Sequence, residues 1–506
     1  MKQKNTAVNS FIYRWRYPIS LLAIVFLTFF FSIYRLNNIP NGISTGEIQS
    51  TTNSLSVANI PYKILNGDLS SIVAWPWHLL QMASITLFGV SSFSIRLPAA
   101  ILAFFLIFTA IALFKKLFRA NIAMLGGFIL VSSSAFISLS RSGTAEIATL
   151  FFIFLSLLLG KSLIDTGHKK SRKKLALSFG LIISLACLAY MPAGLTLIAP
   201  LGILYVVHPH SRMSFYRKKL LFLFSSILAA ILTAPILYTF FSSIWDSSNR
   251  IIALKLLGVE NLMSALKNIN PINILAAIFN DNSILLGNLV GPIVSLVGLL
   301  LAIIGIWRLL IAKSSIRTQF VVVIGFISLM LGIINPYMAF LLFVPLLFAQ
   351  ITGLTFMINS WYNMFPRNPY ARVFALLPLG VILFSLTIFE SQRYFQAVNY
   401  SPKIAYQYSR ELEAVQNYLK SQPKNSFTLI VNSKDKLLYQ HLNMRNLSVT
   451  DKKIHQINLD NKNKPNRIII TGSATAKTET PKDYQMERIV ADWKNKNNVL
   501  IRVYKK

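Results

Sequence analysis

Eleven runs of about 20 apolar residues divide this chain, and nothing else in the sequence restricts its architecture as strongly. They lie near residues 18–36, 94–114, 121–140, 145–164, 175–191, 192–207, 220–241, 287–307, 319–335, 337–358 and 371–389. A bilayer's hydrocarbon core is about 30 Å thick and a helix rises about 1.5 Å per residue, so a run of this length predicts a spanning helix. The stretch 175–207 is read as two spans, because a single helix there would be about 50 Å long and Pro192 offers a break. With 54% hydrophobic and 13% charged residues in 506, and a mean hydropathy of +0.54, the expected fold is an α-helical polytopic membrane protein.

The net charge of +33 does not point to nucleic acid, because the Lys and Arg residues sit mainly in short loops between apolar runs, where they orient membrane segments. With the N-terminus cytoplasmic, 22 of the 29 Lys and Arg before residue 390 fall on the inner side; the exceptions are Arg35, Lys63, Arg96, Arg141, Arg250, Lys255 and Lys267. Basic clusters at 169–174 and 212–219 flank the 175–207 hairpin on that inner side. The first run follows Lys2, Lys4, Arg14 and Arg16 and ends at Arg35-Leu36-Asn37-Asn38, with no small-residue cleavage site, which predicts an uncleaved anchor helix. Cys187, the sole cysteine, excludes an intrachain disulfide or a cysteine metal cluster.

Three outer loops are expected, at 37–92, 140–146 and 242–286. In the first, 72–88 carries Trp75, Trp77 and His78 and suits a helix lying at the membrane interface. Residues 1–389 then form the transmembrane domain, and eleven-span parity places residues 390–506 outside as a small α/β domain. Within it 404–421 has helical periodicity, 427–431 and 467–471 read as buried strands, and 487–490 with 499–504 suggest a closing hairpin.

Only seven carboxylates precede residue 390: Glu47, Asp68, Glu146, Asp165, Asp246, Glu260 and Asp281, and on this topology all but Asp165 face outward. Acids near a membrane are costly, so acid chemistry must draw on this short set. Other chemistries fall away. Gly160-Lys161-Ser162 imitates the end of a phosphate-binding loop, but Leu155 stands where the first glycine belongs. The six histidines lack the paired spacing of a zinc site, leaving His78 as a lone ligand or donor candidate beside the bland reading of an interfacial histidine. A secondary transporter would show internal repeats and polar residues near mid-span, and neither is visible.

Three short elements speak through their order. Arg35-Leu36-Asn37-Asn38-Ile39-Pro40 leads to Gly46-Glu47 in the first outer loop; Leu87-Phe88-Gly89 through Arg96-Leu97-Pro98 opens the second span; Ser140-Arg141-Ser142-Gly143-Thr144-Ala145-Glu146 joins the third and fourth. Together they resemble the GT-C superfamily of membrane glycosyltransferases, specifically its protein O-mannosyltransferase and aminoarabinose transferase group (family 39-like). Asn335-Pro336-Tyr337 is similar to that group's late helix, without its frequent arginine. The likeness is good over 30–210, weaker to about 390 and not evident beyond. It implies a sugar arriving on a polyprenyl-phosphate donor, transfer to an acceptor hydroxyl on the outer face, and inversion at the anomeric carbon.

Such a reaction needs a carboxylate to take the acceptor's proton, and cations or a metal to stabilise the departing phosphate. Glu47 is the expected base, with Glu146 orienting the acceptor or sharing a divalent cation with it. Arg96, Arg141 and Lys63 are the expected phosphate partners, since guanidinium forks suit phosphate oxygens, and Asp68 and His78 are weaker members of the set. The alternatives are ordinary: a solvated loop acid at Glu47, a favourable helix N-terminus at Glu146, interface anchors at Arg96 and Arg141. The sequence departs from the family at Gly46, where an aspartate is usual. That departure raises a second expectation, a catalytically silent relative that binds lipid phosphate or glycan. The partners implied are the donor lipid and the surrounding membrane lipids, with no nucleic acid.

Overall fold

The computed structural model describes residues 2–57, 72–166, 171–207, 219–245, 250–259, 285–286, 289–290, 292–311, 316–365, 369–405, 407–421, 427–442, 447–450, 467–475, 484–492 and 499–506. The apolar runs coincide with helix, in whole or in part. Among the described residues, four helices are individually long and apolar enough to cross a membrane, within Trp15–Ile33, Ser92–Leu117, Glu146–Asp165 and Pro336–Met364. A fifth candidate span is the pair Ala120–Ser132 and Ser134–Ser140, bent by 62°. Shorter apolar helices occupy Leu175–Tyr190, Ile227–Ser242, Leu296–Ile311 and Thr318–Ile334.

Local chemistry explains the breaks. The 175–207 stretch divides into Ser171–Tyr190 and Gly194–Val207 around Pro192 and Ala193, the latter with φ of 58°. The bend at Ser133 is stabilised by its own hydroxyl, which accepts from the Phe136 N–H, and by the buried Glu390 carboxylate, which accepts from the Ser134 N–H at 3.1 Å. The run expected at 287–307 becomes a helix only from Leu296, because Pro292 has no N–H for a helix interior; Ser295 then accepts from the Gly298 N–H. The last long helix, Pro369–Tyr400, continues past residue 389, where the apolar run ends.

Beyond it lies a five-stranded sheet with the spatial order Leu447–Thr450, Phe427–Ile430, Arg467–Thr471, Val499–Lys505 and Gln485–Ala491. The first three strands are parallel and the last two join antiparallel. The amphipathic helix Glu411–Ser421 presses Leu412, Val415, Tyr418 and Leu419 into its core. The helix expected over 404–421 is interrupted, because Tyr408–Ser409 pairs as a strand with Ile43–Ser44 and tertiary pairing overrides local periodicity. Ile43, Leu55, Ile85, Val90 and Ile95 of the first outer loop and second span share one hydrophobic core with Leu412, Leu429, Ile469 and Val503. The Gln416 side-chain amide also donates to the Val90 carbonyl at 2.7 Å. The sheet unit and the first outer loop therefore lie on the same side of the helical bundle.

Candidate active site

The helix Thr45–Leu55 begins with a capping box: the Glu47 N–H donates to Ser44 Oγ at 3.1 Å while the Ser44 N–H donates back to Glu47 Oε2 at 2.9 Å. Serine, two residues and glutamate in S-T-G-E dictate this turn. It directs the Glu47 side chain inward, where it is 1% exposed, and leaves Gly46 on the exposed surface.

Inside, Glu47 meets Arg96 from the second turn of the helix Ser92–Leu117. Arg96 Nε donates to Oε1 at 2.8 Å and Nη2 to Oε2 at 3.0 Å, a bidentate fork, and the Gly143 N–H donates to Oε1 at 2.9 Å. Each carboxylate oxygen thus accepts two hydrogen bonds. Burial alone would raise the carboxyl's pKa, but the Arg96 charge and the hydrogen bonds from Arg96, Ser44 and Gly143 outweigh it and hold Glu47 below the usual value of 4.5. An acid so saturated has no lone pair left for a substrate proton or a divalent cation.

Arg96 is equally committed. Its Nη1 donates to the carbonyls of Pro40, at 2.8 Å, and Leu36, and its Nη2 also donates to that of Gly42, so all five donors are used. Gly42 is required here: its φ is +101°, and a Cβ would stand 2.6 Å from the Ser409 carbonyl oxygen. Arg141, at the end of the helix Ser134–Ser140, donates to the carbonyls of Phe31 and Tyr34 at 2.8 Å each and of Ile39 at 2.7 Å. Both guanidiniums are fully buried and tie down the backbone between residues 31 and 42. The expectation that Arg96 and Arg141 grip the donor phosphate therefore meets donors already engaged by carbonyls and by Glu47.

The remaining expected residues divide. His78 lies on the interfacial helix Trp75–Phe88, buried, with Nδ1 2.9 Å from Ser54 Oγ. Burial holds it neutral by pushing its pKa down to about 4, against a weaker opposing hydrogen bond at Val73. Glu146 is half-buried at the start of the helix Glu146–Asp165, three residues after the glycine that binds Glu47. Lys63 and Asp68 lie outside the described residues, as do Asp246, Glu260 and Asp281. Among the described residues, no group of three or more His, Cys, Asp or Glu gathers as a metal site.

Sequence reasoning missed Gln81. Fully buried, it donates to the Ile95 and Gly143 carbonyls at 3.1 and 3.0 Å and accepts from the Ser50 and Ser54 hydroxyls at 2.9 and 2.6 Å. Trp77 Nε1 adds a bond to Ser50 Oγ at 2.9 Å. A lone amide inside the apolar W-P-W-H-L-L-Q-M stretch was the available signal, since such a group is buried only with partners.

The architecture now has recognisable relatives. ArnT from Cupriavidus metallidurans bound to undecaprenyl phosphate superposes with a TM-score of 0.53 at 11% identity, covering 97% of this chain and 98% of that one. The chain has the fold of the GT-C superfamily. Consistent with that GT-C fold, residues 74–239 match the family of dolichyl-phosphate-mannose-protein mannosyltransferases. The archaeal oligosaccharyltransferase AglB from Archaeoglobus fulgidus, in complex with an inhibitory peptide and a dolichol-phosphate, is also similar, with a TM-score of 0.50 at 12% identity over 91% of this chain and 70% of that one. No curated protein matches the chain by sequence.

Proposed function

We propose that this GT-C protein is an integral-membrane glycosyltransferase that moves a sugar from a polyprenyl-phosphate donor to an acceptor hydroxyl on the outer face of the membrane, inverting the anomeric centre. One observation carries the reading: 97% of the chain shares its fold with an ArnT bound to undecaprenyl phosphate. The mannosyltransferase-type segment 74–239, which contains Arg96, Arg141 and Glu146, supports it. Eleven spans, a cytoplasmic N-terminus and an outer sheet unit complete the proposed topology.

In the reaction the acceptor oxygen attacks the anomeric carbon, the bond from that carbon to the phosphate oxygen breaks, and polyprenyl phosphate departs with the electron pair. The acceptor proton must pass to a base. Glu47, accepting four hydrogen bonds, is a positioning residue in this reading; with Arg96 and Arg141 it fixes the loop and the turn before Glu146. We assign the proton to Glu146, the half-buried acid of the matched segment. Lys63 stays as the candidate cation for the departing phosphate. The first test is transfer from a polyprenyl-phosphate sugar: Glu146→Gln should lower turnover by about 100-fold with donor binding retained. Unchanged turnover would remove Glu146 from the mechanism.

Gly46 favours a second reading. The family's aspartate position is exposed and empty of a carboxylate, which suits a silent relative that binds polyprenyl phosphate without transfer. Donor binding with no turnover, gained on Gly46→Asp, would select it; loss of both binding and turnover in the wild type would sink both readings.

A further inference from the structure

The helix Trp75–Phe88 is turned inside out. Its polar side chains His78, Gln81 and Ser84 are buried with Trp77 and Ile85, while Trp75, Leu79, Leu80, Leu87 and Phe88 are exposed. A surface helix in water shows the reverse pattern, so this one suits lipid on its outer face and must settle its polar groups against protein. Gln81 meets that demand at four points. Its Nε2 donates to the Ile95 and Gly143 carbonyls at 3.1 and 3.0 Å, and its Oε1 accepts from the Ser50 and Ser54 hydroxyls at 2.9 and 2.6 Å. Two donors and two acceptor positions are all that an amide has, and carbonyls only accept, so the orientation of the side chain is fixed.

Those bonds join the membrane-facing helix to the helix Thr45–Leu55, to the first turn of Ser92–Leu117 and to the turn between Arg141 and Glu146. At Gly143 both backbone groups are held: the N–H donates to Glu47 Oε1 at 2.9 Å, and the carbonyl accepts from Gln81. A Cβ on Gly143 would stand 2.6 Å from Ile95 Cγ2 and 3.3 Å from Glu47 Cγ, so the residue is wedged between the two. The helix that starts with Glu146 follows three residues later. Glu47 thus ties this turn to the first outer loop, and Gln81 ties it to the helix that meets the membrane.

We propose that Gln81 is a positioning residue for glycosyl transfer: through the Gly143 carbonyl it holds the turn 141–146, and Glu146 at its end, in register with the membrane-facing helix. The assignment rests on the transferase reading above. A misplacement of about 1 Å at a reacting group costs about 100-fold in rate, so a residue that acts through this turn is read in kcat rather than in donor KM.

The test follows transfer from a polyprenyl-phosphate sugar by the full chain in nanodiscs, with kcat expressed per molecule that binds undecaprenyl phosphate. Damage to the fold alone lowers the number of such molecules and leaves their kcat as it was. Gln81→Met keeps length and bulk while removing all four bonds, and its kcat should fall about 10-fold or more with donor KM within about 2-fold of the wild type. Gln81→Glu decides the matter should that variant not fold. The carboxyl it introduces can donate one hydrogen bond when protonated and none when ionised, and burial raises its pKa. The ratio of its kcat to that of the wild type should therefore be highest at about pH 5 and fall about 10-fold or more by about pH 8. An undiminished kcat in Gln81→Met, or a ratio for Gln81→Glu that stays flat over that range, would overturn the assignment. A wild type that transfers nothing would overturn the transferase reading, and this assignment with it.

Discussion

Two glutamates near helix starts meet opposite fates on the same side of this molecule. Glu47 caps the helix Thr45–Leu55 and is gripped by Arg96, while Glu411 opens the helix Glu411–Ser421 and accepts from the Ser473 N–H and hydroxyl, at 2.9 and 3.0 Å. Burial, with a smaller push from Asp435, lifts Glu411 to about 7 against the Ser473 hydrogen bonds, whereas Glu47 stays below 4.5. Burial penalises both; the partner decides. A buried acid with a guanidinium fork becomes a fixed anion and part of the scaffold, and one with hydroxyl and amide partners remains able to take a proton near neutrality.

The largest expected effect breaks the first half of that contrast. Arg96→Met should destabilise the outer unit by about 3–5 kcal/mol, because it leaves Glu47 buried and uncompensated, and Glu47→Gln added to it should recover much of the loss. A cost under about 1 kcal/mol in denaturant unfolding would show that the pair is not a lock.

Titration sharpens the second half. Glu411 binds its proton more tightly folded than unfolded, so the stability it contributes is present below about 4.5 and lost as pH rises towards 7, at about 1.4 kcal/mol per pH unit as an upper limit. Amide exchange at Ser473 should quicken over that window, and Glu411→Gln should flatten the trend. His78 runs the other way: held neutral with a pKa of about 4, it contributes stability that is present above 6.5 and lost as pH falls through 4. Unfolding midpoints of His78→Gln between those limits should show a shallower acid loss than the wild type.

The smallest expected effect concerns Gly42. Gly42→Ala should weaken the pairing of Ile43–Ser44 with Tyr408–Ser409 by about 1–3 kcal/mol, read as faster exchange of those amides. Unchanged exchange would mean that the strand pair does not depend on this turn.

Helix positions were legible in the sequence because apolar runs report directly on the solvent each segment meets, and the strands at Phe427–Ile430 and Arg467–Thr471 because buried parallel strands are themselves short apolar runs. The convergence of Glu47, Arg96 and Gly143 was foreshadowed by motif order. What it would do was not. Whether a guanidinium faces a cavity or spends itself on Pro40, Leu36 and Gly42 carbonyls depends on how the loop after the first span folds back, and no local pattern encodes that return. Glu390 was overlooked for a similar reason: it sits just past the apolar run, yet its helix continues to Tyr400 and carries it into the bend at Ser133.

Whether Glu47 is a fixed anion or a proton acceptor is decided by following the glutamate carboxyl carbons through a pH titration. The full chain would be labelled with carbon-13 in nanodiscs, with Glu47→Gln/Arg96→Met and Glu411→Gln assigning the two signals. No step is expected for Glu47 at any pH above 4.5, and a step is expected for Glu411 near 7. A Glu47 signal that titrates near neutrality, as a general base tuned to its working pH would, contradicts it.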